Sequence, residues 1–263
     1  MLAACALVLL AACRKDKDEE KDLDLDYTSA SDNALADDAF SDLLSEVDKA
    51  VESNGLRGTD ADCAPVVSFD TLSSPRTITI DLGSVNCTAN NGRQRRGRIQ
   101  VSYTGRYRDE GTVITITPDN YFVNDHQVQG TKTVTNLGLN DDGHLHYGVV
   151  VNGSLTAPDG SWTATHQADR VRTWIQGEGS LTIFDDVYLI TGNGNGVNRN
   201  GNAYAINITS PLRVEVGCRW ITAGTVDITP ENKPTRTIDY GSGSCDGIIT
   251  ISVLGYNFTV NIG

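Results

Sequence analysis

From residue 63 to the end, hydrophobic positions recur at every second residue. Ile78, Ile80 and Leu82 alternate with Thr77, Thr79 and Asp81, and Tyr256, Phe258, Val260 and Ile262 alternate with Asn257, Thr259 and Asn261. A period of two sends neighbouring side chains to opposite faces of a strand, so each run reads as a strand with one buried and one wet face, the habit of antiparallel sheets. Turn signals separate the runs: Asp141-Asp142-Gly143, Pro158-Asp159-Gly160, and Leu254-Gly255 between the last two. Gly192 to Asn202 (GNGNGVNRNGN) reads as a flexible hairpin tip. Roughly fourteen strands fit, with no helical pattern between them, which excludes parallel βαβ units. The expected fold is mainly β, a large antiparallel meander over 61–263 forming one domain, either a two-sheet sandwich or a rolled sheet.

Residues 32–54 change the period. Leu35, Ala39, Phe40, Leu43, Leu44, Val47 and Val51 fall at helical spacing, while Asp37, Asp38, Asp42, Glu46 and Asp48 lie off that stripe. One amphipathic helix is expected, capped by Ser29 or Ser31 and stopped by Asn54-Gly55, its apolar stripe docked on the β-domain.

The first residues follow neither pattern. Leu2 to Ala12 is an uncharged apolar run, too short for the roughly 20 residues of a membrane-spanning helix but suited to the core of a secretory signal. It ends in Leu10-Ala11-Ala12-Cys13, which resembles the lipobox of bacterial lipoproteins; the resemblance implies cleavage after residue 12 and acylation of Cys13. Residues 13–31 then read as the lipidated cysteine and a charged flexible tether, since Arg14 to Asp26 has only Leu23 and Leu25 to bury. Acidic residues close behind the cysteine resemble the signal that carries lipoproteins of the Bacteroidota to the outer face of their outer membrane. The expected location is therefore the outer membrane, lipid-anchored and surface-exposed, with a periplasm-facing anchor as second choice. Net charge is −13, and residues 14–60, with 15 acidic and 6 basic side chains, hold −9 of it. Such a chain has no electrostatic drive toward nucleic acid.

Two cassettes match within the β-domain: Asp81-Leu82-Gly83-Ser84-Val85-Asn86-Cys87 and Asp239-Tyr240-Gly241-Ser242-Gly243-Ser244-Cys245, each behind a proline-led strand and each with a cysteine upstream, Cys63 or Cys218. The repeat suggests that Cys63 pairs with Cys87 and Cys218 with Cys245, although four cysteines allow three connectivities and sequence does not choose among them. Export would permit both bonds. The cassettes, Gly92-Arg93-Gln94-Arg95-Arg96-Gly97-Arg98-Ile99 and Asn120-Tyr121-Phe122-Val123-Asn124-Asp125-His126 together resemble uncharacterised surface-exported lipoproteins of the Bacteroidota. That resemblance implies location and fold and brings no activity.

Candidate ligand chemistry is sparse. Arg93, Arg95, Arg96 and Arg98, with Arg106 and Arg108 further on, are the basic concentration. Were 96–108 one strand, Arg96, Arg98, Arg106 and Arg108 would share a face and form a cationic stripe about 40 Å long at roughly 3.3 Å per residue, suited to sulfated or phosphorylated glycan. The rival reading is a solvated face balanced by acids such as Asp109 and Glu110. Arg170, Arg172 and Trp174 share a strand face and form a second candidate; Trp162, Trp220 and Tyr147 could join Trp174 in a sugar-stacking platform. His144 and His146, with His166 across a hairpin, could approach metal-ligand geometry, but exposed alternation explains His-x-His without metal. Four thiols without C-x-x-C spacing do not call for zinc, and no cofactor motif is present. Asp70-Thr71-Leu72 looks like a short O-glycosylation signal of the Bacteroidota. Neither a nucleophile elbow nor H-E-x-x-H occurs, and Asp141-Asp142 and Asp185-Asp186 are sequence neighbours that cannot face one bond together. The expected function is binding or structural, with membrane attachment through the lipid and a glycan or envelope protein as partner. An extracellular hydrolase acting on glycan through a dispersed site is the alternative.

Overall fold

A computed structural model of the chain describes residues 24–52, 63–89, 92–180 and 182–262. The signal segment 1–12, the lipidation position Cys13 and the Asn54-Gly55 helix stop lie outside the described residues. Among the described residues one α-helix, α1 (Thr28–Glu52), precedes fourteen strands. These are β1 (Val66–Asp70), β2 (Arg76–Asp81), β3 (Cys87–Thr88), β4 (Gln94–Tyr103), β5 (Val113–Val123), β6 (His126–Leu139) and β7 (Leu145–Thr156). There follow β8 (Thr163–Gln176), β9 (Val187–Val197), β10 (Ala203–Glu215), β11 (Ile221–Pro230), β12 (Arg236–Ser242), β13 (Ile248–Val253) and β14 (Tyr256–Asn261).

The strands form one antiparallel sheet in sequence order, with β3 a short flap on β4, and β1 and β14 do not pair. Of the two expected architectures the rolled sheet is the one adopted, and it stays open. α1 touches strands from β4 through β8 and again β11 and β12, so the sheet curls around it. Ala30 and Ala34, at the start of α1, sit in a core with Tyr204, Ile206, Ile228 and Ile251. Further along, Ala36, Ala39, Phe40, Leu43 and Val47 sit in a second core with Ile80, Ile99, Ile116, Tyr121 and Val151. Each of the larger side chains stabilises this arrangement by roughly 1.5–3 kcal/mol on burial. Among the described residues no helix is long and apolar enough to cross a membrane.

Three boundaries differ from expectation. α1 begins at Thr28 because Asp26 accepts hydrogen bonds from the Thr28 N–H (2.9 Å) and hydroxyl (2.5 Å), so residues 28–31 are helix and not tether. Asp24 and Asp26 are also tied down, the first by Arg236 (2.9 Å) and Lys233 (3.2 Å), the second through its carbonyl by Arg236 Nε (2.7 Å). Lastly, Gly192 to Val197 belongs to β9, and only the residues from Asn198 to Asn202 turn. Glycine is needed there because a Cβ on Gly196 would lie 2.5 Å from the Tyr204 ring.

Both disulfides suggested by the repeated cassette are formed, Cys63–Cys87 and Cys218–Cys245. The Leu254-Gly255 hairpin is also as read, with positive φ at both residues (50° and 83°) and Val253 paired to Tyr256.

Candidate functional site

The acids of α1 are not its wet face. Asp32, Asp37, Asp42 and Glu46 are buried, and each meets a base on the concave side of the sheet. Asp38, Asp42 and Glu46 repeat every fourth residue and so line one side of the helix; Arg93 and Arg95, two residues apart, point to one side of the chain entering β4. Arg93 reaches Asp38 (2.5 Å) and Asp42 (2.9 Å), Arg95 reaches Asp42 (2.5 Å) and Glu46 (3.4 Å), and the Tyr121 hydroxyl donates to Asp42 (3.1 Å). Burial would push the Asp42 carboxyl up, but Arg93 and Arg95 outweigh it and hold it well below the carboxylate range. From β8, Arg170 (2.7 Å) and His166 (3.2 Å) converge on Asp37, which also accepts from Asn33 (3.1 Å). At the start of the helix Arg199 grips Asp32, with Nε at 2.7 Å, and Asn198 donates to the Ser29 hydroxyl (2.9 Å). The β9–β10 turn thereby latches onto α1.

Two cavities open between α1 and the sheet, and Leu44 and Asp48 help to line both. The larger, about 460 Å³, is walled by the rings of Tyr103, Tyr107, Trp174 and Tyr188 and by aliphatic residues such as Val47, Ile78, Val101 and Ile114. Arg106 and Arg108 stand at its rim; both are exposed, and the Arg108 guanidinium lies 4.6 Å over the Trp174 ring. Tyr107 stacks on Tyr147 at 4.5 Å, and Trp174 on Tyr188 at 5.5 Å, which fixes the walls. Asp186 adds a buried carboxylate to this wall: it is 3% exposed, Oδ2 accepts from Tyr188 (3.3 Å), and Oδ1 has no hydrogen-bond partner among the described residues. Burial, with Asp185 adding to it, pushes the Asp186 carboxyl up to about 6.

The smaller, about 250 Å³ and called the inner cavity below, is lined by Lys132, Arg170, Arg172 and Trp220 over a floor of Val149 and Val151. Arg172 stands between the two: it lines the inner cavity while its guanidinium lies 3.4 Å over the Tyr188 ring and Nη1 donates to the Tyr107 hydroxyl (3.2 Å) in the outer one.

The residues singled out from sequence divide accordingly. Arg106, Arg108 and Trp174 meet at the aromatic cavity and Arg172 adjoins it. Arg170 lies in the interior ion pair with Asp37. Arg96 and Arg98 are elsewhere, on the outer face, where Arg96 pairs with Asp125 and Arg98 with Asp119 (3.3 Å). The continuous cationic stripe is therefore corrected: Arg96 and Arg98 share the outer face of β4, but the chain leaves the sheet after Tyr103, so Arg106 and Arg108 do not continue that face. The acids that answer Arg96 and Arg98 are Asp125 and Asp119 rather than Asp109 and Glu110.

No single tryptophan platform forms either. Trp162 packs under Arg199 (4.2 Å), Trp174 lines the aromatic cavity and Trp220 lines the inner one. The histidines also separate: His166 faces inward to Asp37, whereas His146 binds the Gly138 carbonyl (3.0 Å). The Asp70-Thr71-Leu72 segment is an exposed turn in which Asp70 accepts from the Leu72 N–H (2.9 Å).

Nothing in the sequence marks Lys132, and Asp186 enters the sequence reading only as the neighbour of Asp185, a pair set aside for catalysis. A lysine in a threonine-rich strand and an aspartate beside another look like surface residues, and only the curl of the sheet buries them. Comparison with family models, with curated proteins and with solved structures finds no match.

Proposed function

We propose that the protein is a lipid-anchored binding component of the outer envelope, held by acyl chains on Cys13 and displayed outside the cytosol, which takes up a small apolar or amphipathic molecule in the aromatic cavity. The lipobox resemblance and the two disulfides support the location. The observation that carries the binding function is the cavity itself. Its volume of about 460 Å³ lies within the roughly 300–1,000 Å³ of small-molecule sites, and its wall is mostly rings and aliphatic side chains with few polar groups. Such a wall favours an apolar body over a bare glycan, whose hydroxyls would lose water without gaining partners.

The test is titration with a neutral apolar fluorophore, N-phenyl-1-naphthylamine. Saturable binding is expected, with quenching of Trp174 fluorescence, and Val101→Trp, which fills the cavity, should abolish it. Equal binding by that variant would overturn the assignment.

A second reading, a hydrolase, has one observation in its favour. Asp48 and Asp186 line the same cavity, and the raised Asp186 carboxyl has the character of a general acid. Turnover of chromogenic glycosides that disappears in Asp186→Asn would support it; no turnover across a panel would remove it.

A further inference from the structure

The acids of α1 do not answer every base on the concave face, and the one left over, Lys132, lines the inner cavity. Around it Arg95 is matched by Asp42, Lys49 by Glu46 (3.0 Å), Glu215 by Arg213 (2.8 Å), and Arg170 by Asp37. Arg172 approaches Asp48 only to 3.8 Å. Lys132 has no carboxylate partner among the described residues; its Nζ donates to the Phe40 carbonyl at 3.0 Å. Lys132 is 6% exposed and Arg170 8%, and Arg170 Nε has no hydrogen-bond acceptor among the described residues. An uncompensated charge in such a place is costly, so the site is completed either by an anion or by loss of the lysine proton.

The strands aim these groups at one place. Lys132 pairs across β7 with Val151 and Arg170 with Val149, so all project from the concave face over the same small valine floor. β6 and β8 lie about 10 Å apart, at roughly 4.8 Å per strand, a gap that long basic side chains close around one oxyanion.

We propose that the inner cavity is an anion subsite, in which a carboxylate carried on an apolar chain or ring docks between Lys132 Nζ, Arg170 Nε and the Arg172 guanidinium. The inference rests on the aromatic cavity holding the apolar body, with Arg172 as the partition between body and head. It names the ligand as an amphipathic carboxylate rather than a neutral hydrophobe. Burial, then Arg172 and Arg170, press the Lys132 ammonium down to about 7, against which Asp48 and Asp37 act only weakly. An arriving carboxylate restores the proton, so binding above neutral pH takes up to about one proton.

The experiment is calorimetric titration of the purified protein at pH 8 with octanoate and with octan-1-ol, in buffers of different ionisation enthalpy. Octanoate is expected to bind at least tenfold more tightly than the alcohol and with proton uptake, while the alcohol binds without it. Lys132→Met should remove the uptake and the preference and leave alcohol binding unchanged. Equal affinities without proton uptake would overturn the anion subsite and leave the apolar cavity standing; binding of neither probe would overturn both. Proton uptake is read on the unaltered protein, so the subsite is decided even if the variant fails to fold.

Discussion

Arg95 holds Asp42 with two of its nitrogens: Nε reaches Oδ2 at 2.9 Å and Nη2 reaches Oδ1 at 2.5 Å, with both side chains almost wholly buried. The pair joins the middle of α1 to β4 across 53 residues of sequence. A buried pair adds little net stability compared with apolar residues of the same size, yet losing one member costs about 3–5 kcal/mol because the other is stranded. Its contribution is register. A helix turned by one residue would carry Asp42 and Asp37 away from their bases, so the clasp selects one seating of α1 in the sheet.

Asp42→Ala is therefore expected to destabilise the fold by about 3–5 kcal/mol, since Arg93 and Arg95 both lose their shared carboxylate. Asp42→Leu combined with Arg93→Met and Arg95→Met should recover most of that loss. Urea unfolding of the three forms is the check. A triple variant no more stable than the single one would show that the charges themselves stabilise the interface.

The pH dependence has two limbs. Burial would raise Asp37, but Arg170 and His166 outweigh it and hold it at about 2 against an ordinary 3.8. A depressed carboxylate contributes stability above its unfolded value and loses it as pH falls through the folded one. Stability on the order of 2 kcal/mol should therefore disappear between about pH 4 and pH 2. Lys132 acts in the opposite range: with a folded value of about 7 against an ordinary 10.5, the unfolded chain binds the extra proton between them. Stability should rise as pH climbs from about 7 to about 10, and Lys132→Met should flatten that limb. Urea midpoints measured across the two windows decide both points, and a flat profile from pH 7 to 10 in the unaltered protein would mean that Lys132 keeps its proton in the fold.

Each disulfide closes a loop, of 24 residues for Cys63–Cys87 and 27 for Cys218–Cys245. In the chain-entropy account each contributes roughly 3.5 kcal/mol. Cys218→Ala/Cys245→Ala should lower the urea midpoint by a corresponding amount while leaving the fluorophore site intact, because neither cysteine lines the aromatic cavity. A change in fluorophore affinity would show that the second cassette shapes the outer cavity after all.

The local pattern made the strands, their turns, the cassette bonds and the existence of α1 legible, because periods of two and of 3.6 are written in neighbouring residues. The seating of α1 was not. Asp38-x-x-x-Asp42-x-x-x-Glu46 and Arg93-x-Arg95 are each visible in the sequence, but a charged side chain is ordinarily solvated, and nothing local says that two such rows close on each other. The sequence joins Arg96 and Arg98 in one stripe with Arg106 and Arg108 because nothing local announces that β4 ends at Tyr103, with the four arginines on either side of that end. Lys132 and Asp186 became notable only through burial, which the curl of a sheet running from β1 to β14 decides.

Gly153 carries the last expectation. It lies on β7 beneath the helix, where a Cβ would sit 2.2 Å from Phe40 Cζ and 2.6 Å from the Gln129 carbonyl oxygen. Backbone cannot retreat within a paired strand, so the ring must move, and Phe40 is 2% exposed in the core that seats α1. Gly153→Ala should therefore cost about 1–3 kcal/mol by overpacking. Gly179→Ala, where nothing lies within 4 Å and φ is unstrained, should change stability by less than about 0.5 kcal/mol. If the first substitution loosens the helix and not merely its neighbour on β6, hydrogen exchange along α1 should rise with it. Faster exchange confined to β6 and β7 would mean that the ion-pair clasp seats the helix without help from Phe40.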